Sequence, residues 1–187
     1  MKHGFLFGTL CYLCGPVEHN KDVTWRDRIN TEFGIRYINP IRKPAWAPQE
    51  SINLVALGDV FNNQIAANTA IYDRKLCLQQ VVVSDWIICY IPENKPFTCG
   101  TIEELVLAHH INKPVFFVYN NGCPSTWLYS MFPELDIWFK SFDDLYIKLH
   151  MINNGEIRLD PVKWLSIFYR EINGQTHHPQ WVEQKIT

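Results

Sequence analysis

A doubly wound α/β domain is what three features of the sequence predict. The first is Trp86 to Ile91, a continuously apolar run closed by Pro92, as a strand covered on both faces requires. The second follows it: Gly100-Thr101 opens a helical stretch, Pro114 closes it, and Val115 to Tyr119 is again an apolar strand. Parallel neighbours need a crossover of this kind. The third is the order strand, helix, strand near the N-terminus. Together they predict a five-stranded parallel sheet between helical layers, with ligands binding where the strands end at their carboxyl edge.

Residues 9–14 read as the first strand, stopped by Gly15-Pro16. A polar loop leads to a short helix from Val23 to Phe33, and Gly34 is placed to end it as the residue after the cap. Ile35 to Ile38 form the second strand, stopped by Asn39-Pro40. Residues 40–60 carry Pro40, Pro44 and Pro48 and form a long connection, which in compact domains is commonly functional. From Phe61 to Val83, Ile65, Thr69, Tyr72, Leu76 and Gln79 or Gln80 recur at near-helical spacing, and Ser84-Asp85 leads into the central strand.

After Tyr119, Asn120 to Pro124 is a strong turn signal. Ser125 is a candidate cap for a short helix through Met131, and Ile137 to Phe139 is the fifth strand. Ser141 with Asp144 three residues on resembles a capping box for a helix to Ile152, ended by Asn153-Asn154-Gly155. Residues 162–172 are apolar enough to pack as a last element, and the tail from Gly174 reads as a loose end. The chain of 187 residues is expected to be one domain, with its core over residues 9–152 and a C-terminal extension over 153–187.

With 47% hydrophobic and 19% charged residues, the composition is that of a globular chain. A net charge of −2 gives no electrostatic reason to expect a nucleic-acid polymer or a membrane surface as partner. No apolar run reaches the ~18 residues of a membrane span. The start, Met-Lys-His-Gly-Phe-Leu-Phe-Gly, is too short and interrupted for a signal peptide, so a cytoplasmic location is expected.

Four of the six cysteines (Cys11, Cys14, Cys77, Cys89) lie in apolar runs, where a thiol behaves as a small hydrophobe. Cys11 and Cys14 form a C-x-x-C, but on a strand their Cα atoms stand about 10 Å apart at ~3.3 Å per residue. A disulfide needs roughly 7 Å or less. No second ligand pair of zinc-like spacing accompanies them, so reduced structural thiols are the expectation.

Two adjacent carboxylates, Glu103 and Glu104, fall in the expected first turn of the helix after Gly100-Thr101. Acidic residues there are favoured by the macrodipole, so helix-terminus stabilisers and catalytic groups are both readings. Ile102, Leu105, Val106 and His109 mark the expected core face, with both glutamates flanking it. Neither G-x-x-x-x-G-K-[ST] nor G-x-G-x-x-G occurs. His109-His110 and His177-His178 lack H-E-x-x-H spacing and read as surface or core histidines, so no metal site is expected. A serine triad would lack its G-x-S-x-G elbow. Asp73 is either on a solvated helix face or an acid aimed at the site, and spacing leaves both open.

Several pieces occur together in an order similar to that of the nucleoside 2-deoxyribosyltransferase family, whose superfamily includes the nucleotide N-glycosidases. They are Tyr12-Leu13-Cys14-Gly15-Pro16, Trp25-Arg26, Asn39-Pro40, Ser84-Asp85, Cys99-Gly100-Thr101-Ile102-Glu103-Glu104-Leu105 with Ala108, and Lys113-Pro114-Val115. The resemblance covers residues 9–119, with a weaker echo from Trp127 to Leu149. It implies a flavodoxin-like (Rossmann-like) three-layer sandwich. It assigns Glu104, the glutamate directly before Leu105, as the nucleophile and Tyr12 as its hydrogen-bonding partner. An Asp on the helix before the central strand protonates the leaving base in that family, about two turns before the Ser-Asp pair. Cys77 stands at that point here, and Asp73 one turn earlier is the candidate acid.

What the resemblance implies is a deoxyribosyltransferase that moves 2-deoxyribose between nucleobases through a covalent glycosyl-glutamate, without metal or organic cofactor. Attack by water would instead make a 2′-deoxynucleoside 5′-monophosphate N-glycosidase, and a non-catalytic nucleotide-binding module is a third reading. The matched residues Gly15, Pro16, Trp25, Arg26, Asn39, Pro40, Asp85, Gly100 and Thr101 are candidates for contact with a nucleoside or nucleotide. Trp25, Trp46 and Phe97 are candidates to sandwich the base, or else core residues. Arg26 or Arg42 is a candidate for a 5′-phosphate. A homo-oligomer is implied, with the segment Ser125 to Met131 as the contribution of a neighbouring subunit.

Overall fold

The computed structural model describes residues 4–15, 25–26, 29, 32–41, 62–93, 98–121, 124–168, 171–172 and 175–176. Five strands, β1 (Leu10–Cys14), β2 (Arg36–Ile38), β3 (Trp86–Tyr90), β4 (Val115–Val118) and β5 (Trp138–Phe139), form one sheet in the order β2-β1-β3-β4-β5. All four pairings are parallel. This is the flavodoxin-like order of a doubly wound sheet, whose strand order reverses at β1 and β3. The expected fold class is therefore the observed one.

The helices are α1 (Gln64–Val83), α2 (Cys99–His110), α3 (Thr126–Met131), α4 (Phe142–Asn153) and α5 (Leu165–Phe168). A short antiparallel pair follows, β6 (Glu171–Ile172) with β7 (Gln175–Thr176). The element at 162–172 is thus part helix and part strand, and the stretch read as a loose end begins with a paired strand. The helix expected over residues 23–33 and the connection over 40–60 lie mostly outside the described residues, as do Pro16, Arg42, Trp46, Phe97 and His177-His178. Trp25, Arg26, Ile29 and Phe33 are described and all are buried, and Gly34 adopts φ 67, the left-handed conformation expected of a helix-ending residue.

Helix α1 starts three residues later than Phe61, because Asn63 is its N-cap: the Asn63 side chain accepts from the amides of Ile65 and Ala66. At its other end the Lys113 ammonium donates to the carbonyls of Val82 (2.9 Å) and Ser84, a cation on the negative end of the helix dipole. Ser141 Oγ accepts from the Asp144 amide at 3.1 Å and meets the Asp144 carboxylate at 2.9 Å, so α4 begins with the expected local cap.

Strand β3 is buried along almost its whole length, which explains its unbroken apolar sequence. One face of the sheet packs on α1 and α2, the other on α4 and the C-terminal segment, where Trp164 meets Trp86 and Phe116 at ring distances of 6.3 and 5.8 Å. The core reaches beyond residues 9–152 in both directions: Leu6 is fully buried, and Leu159, Trp164 and Ile167 join the same cluster. Among the described residues, no helix is long and apolar enough to cross a membrane.

Candidate active site

Tyr12 and Cys14 stand two residues apart on β1 and so face the same way. Parallel pairing sets Tyr12 beside Ile87 and Cys14 beside Cys89. Helix α2 lies over this face and buries Thr101, Leu105 and Ala108 against it. Glu104 falls within that stripe, three residues after Thr101 and four before Ala108, so its carboxyl group points to the strands. The Tyr12 hydroxyl donates to Glu104 Oε1 at 2.7 Å, and the Cys14 thiol reaches Oε2 at 3.1 Å.

Three expectations about this helix need correction. It begins at Cys99 with Thr98 as N-cap, so Glu103 and Glu104 lie in the second turn and not the first. The Thr98 hydroxyl accepts the Thr101 amide at 3.3 Å, which takes over the capping work considered for the glutamates. Ile102 and His109, placed on the core face by the spacing, are exposed, since small Thr101 and Ala108 make the close approach instead. Glu103 turns outward to Arg74 of α1, with Arg74 Nε donating to it at 2.8 Å.

Burial pushes the Glu104 carboxyl above the ordinary glutamate range, while the Tyr12 hydroxyl, the Cys14 thiol and the Arg26 guanidinium pull it back and Glu103 adds to the rise. Burial pushes Tyr12 well up, reinforced by the Glu104 charge, and burial with Cys89 does the same to Cys14. Both therefore keep their protons and donate. The arrangement is one carboxylate with a neutral donor on each oxygen and a cation close by.

Arg26 is buried, and its guanidinium donates to the carbonyls of Gly15 (2.8 Å) and Leu13 (3.3 Å), clamping the end of β1. It also lies over the Trp25 ring at 4.6 Å, while its Nη1 has no hydrogen-bond partner among the described residues. Trp25 packs on Tyr90 and Phe142 with ring distances of 5.3 and 5.7 Å, so it belongs to an aromatic cluster at the carboxyl end of β3. Gly15 ends β1 at φ +148, and a Cβ there would lie 2.6 Å from the Tyr90 carbonyl oxygen. Only glycine lets the two strand ends come this close.

The other candidates divide. Asn39 and Pro40 follow β2 at the same edge of the sheet, where the Asn39 side chain accepts the Ile41 amide at 3.1 Å in a local turn. Gly100 is exposed at the start of α2, and a Cβ there would meet only Thr98 Oγ1 at 3.9 Å. Thr101 is buried with its hydroxyl 3.0 Å from that of Thr98. Asp85 is not brought to the site: it precedes β3, at the amino edge, and its carboxylate accepts the Leu10 amide at 2.7 Å. A residue directly before a parallel strand lies a strand length from the carboxyl edge, here about 13 Å at ~3.3 Å per residue. Asp73 lies on α1 one turn before Cys77, whose thiol is near enough to Tyr12 to raise its pKa further.

Cys14 and Cys89 are the residues that sequence reasoning missed, having read them as structural thiols. The period-two spacing of Tyr12 and Cys14 was the available signal, because whatever receives one receives the other. Cys11, Cys14, Cys77, Cys89 and Cys99 are free thiols. Among the described residues no group of three or more His, Cys, Asp or Glu is arranged to hold a metal ion. Neither the family models nor the curated proteins with which the sequence was compared give a match.

Chemically, the site presents an anionic oxygen at the carboxyl edge of a parallel sheet. Its orientation is fixed from the sheet side by β1, and its charge is favoured by Arg26 against the cost of burial. Such a carboxylate suits attack on an electron-poor carbon or stabilisation of a developing cation.

Proposed function

We propose that the chain is an N-deoxyribosyltransferase that moves 2-deoxyribose between nucleobases through a glycosyl ester on Glu104. One observation carries the reading: Tyr12 and Glu104, 92 residues apart in the chain, meet at 2.7 Å. They are the two residues to which the resemblance assigns the nucleophile and its partner. As the C1′–N bond breaks, its electron pair leaves on the base and positive charge builds on C1′. A Glu104 oxygen then forms the bond to C1′, and an acid delivers a proton to the departing base. Asp73 is the proposed acid, acting from α1. A second nucleobase attacks C1′ from the face the first one left and returns its N–H proton to that acid, the ester C–O bond breaks, and the carboxylate is restored. Neither a metal nor an organic cofactor enters these steps.

The test is incubation of the purified protein, and of Glu104→Ala, with a panel of 2′-deoxynucleosides and their 5′-monophosphates plus free adenine, read by mass spectrometry. Deoxyadenosine or its monophosphate formed only by the unmodified protein is the expected result, and it identifies the donor form. Release of free base without a new nucleoside would replace transfer by hydrolysis, the N-glycosidase activity. If no donor is turned over, both enzymatic readings fail and a nucleotide-binding module takes their place.

A further inference from the structure

The thiol of Cys14 has a role beyond filling space. It is fully buried, sits on the same strand face as Tyr12, and its sulfur is 3.1 Å from Glu104 Oε2 while the Tyr12 hydroxyl occupies Oε1. We propose that Cys14 is a positioning residue for Glu104: its S–H donates to Oε2 while Tyr12 holds Oε1, which fixes the carboxylate in one orientation and favours its ionised form. The proposal rests on the glycosyl-transfer reading for its catalytic consequence and on geometry for the hydrogen bond itself.

Three observations converge on it. First, burial and the neighbouring Cys89 keep the Cys14 proton on sulfur, so the thiol is the donor and the carboxylate the acceptor. Second, among the described residues the groups acting most on the charge of Glu104 are Tyr12 and Cys14 from β1, Arg26 from the segment after it, and Glu103 from its own helix. Cys89 on β3 stands beside Cys14, and Cys77 on α1 acts on Tyr12. Removing one donor from this set is felt directly. Third, the two donors are unequal, since an S–H is a weak donor and a phenol a strong one. Oε1 is the more tightly held oxygen, and Oε2 keeps more of its basicity.

The experiment compares wild type, Cys14→Ala and Cys14→Ser in two measurements. The ionisation of Glu104 is followed by carbon-13 NMR of glutamate-labelled protein, its signal assigned by its absence in Glu104→Gln, and donor turnover is measured as kcat and KM against pH. In Cys14→Ala the Glu104 midpoint is expected to rise by on the order of half a pH unit. The acid limb of the rate profile should move with it, and kcat should fall while KM holds. Cys14→Ser, which restores a donor, returns both toward wild type; a purely space-filling thiol would not give this rescue. An unmoved Glu104 midpoint in a folded Cys14→Ala protein overturns the proposal, as does a moved midpoint with unchanged kcat. If the midpoint moves but wild type converts no donor, the glycosyl-transfer reading fails while the thiol's hold on the carboxylate stands.

Discussion

In the proposed reaction Glu104 serves function at the expense of stability. Its folded carboxyl binds a proton more tightly than an unfolded glutamate does, because burial outweighs the donors around it. In the pH window between the ordinary glutamate value and the raised one, the folded state holds a proton that the unfolded state has lost. The stability contributed by this group is therefore full below the window and falls as pH rises through it. Glu104→Gln is expected to abolish transfer and raise Tm by about 2–4 °C at neutral pH, for a gain of about 1 kcal/mol. The gain should shrink as pH is lowered through the window, as thermal melts across pH would show. In the proposed reaction the same carboxyl must be ionised to attack, so kcat/KM of the wild type should fall with decreasing pH at a value above the ordinary glutamate range. Tyr12→Phe removes the stronger donor and should lower kcat about 10–100-fold, moving that limb upward. At this scale the sequence was only half legible. A helical wheel of α2 could not separate Glu104 from Glu103 while its core face was drawn through Ile102 and His109. The difference lay in Thr101 and Ala108, whose small side chains let the helix sit close on the strands.

Strands and helices were easier to read than the residues they carry. Continuous apolar runs announce β3 and β4 because both strands are covered on two faces, and Ser141 announces α4 through its cap. What the sequence did not carry was the end of the sheet at which a residue would fall. Asp85 belongs to a resembling piece, yet it stands before β3 and holds the Leu10 amide there. Asp85→Ala is accordingly expected to cost about 1 kcal/mol of stability by leaving a half-buried amide without its acceptor. Its kcat and KM should remain near wild type where the protein is folded. Gly100 is the converse case. No backbone or packing requirement calls for glycine at that position of α2, since the space beside it is open. Gly100→Ala should stabilise the helix by up to about 1 kcal/mol while raising KM several-fold, if the open space receives the substrate. Melts and steady-state kinetics on this pair of variants separate the two edges of the sheet.

Over the whole molecule, the doubly wound order does two things: it makes a crevice at the carboxyl edge and it leaves the surface of α3 uncovered. Trp127 is 75% exposed on that short helix, which supports a second copy of the chain as the partner that completes the proposed site. Light scattering coupled to size exclusion should then report an oligomer, and Trp127→Ser should weaken it and make activity depend on protein concentration. A monomeric wild type with full turnover would remove the second subunit from the proposed site. The interior position of β1, between β2 and β3, has a further consequence, for synthesis. β1 can pair with β2 early, but its other edge has no partner until β3 has been made, about 75 residues later. At bacterial-to-eukaryotic ribosome speeds that is a wait of roughly 4–15 s. Through that interval the strand that will hold Glu104 shows a row of unpaired backbone N–H and C=O groups along an open edge, the kind of surface that invites wrong pairing. A nascent chain halted before β3 should therefore be a chaperone client, and the released full-length chain should not.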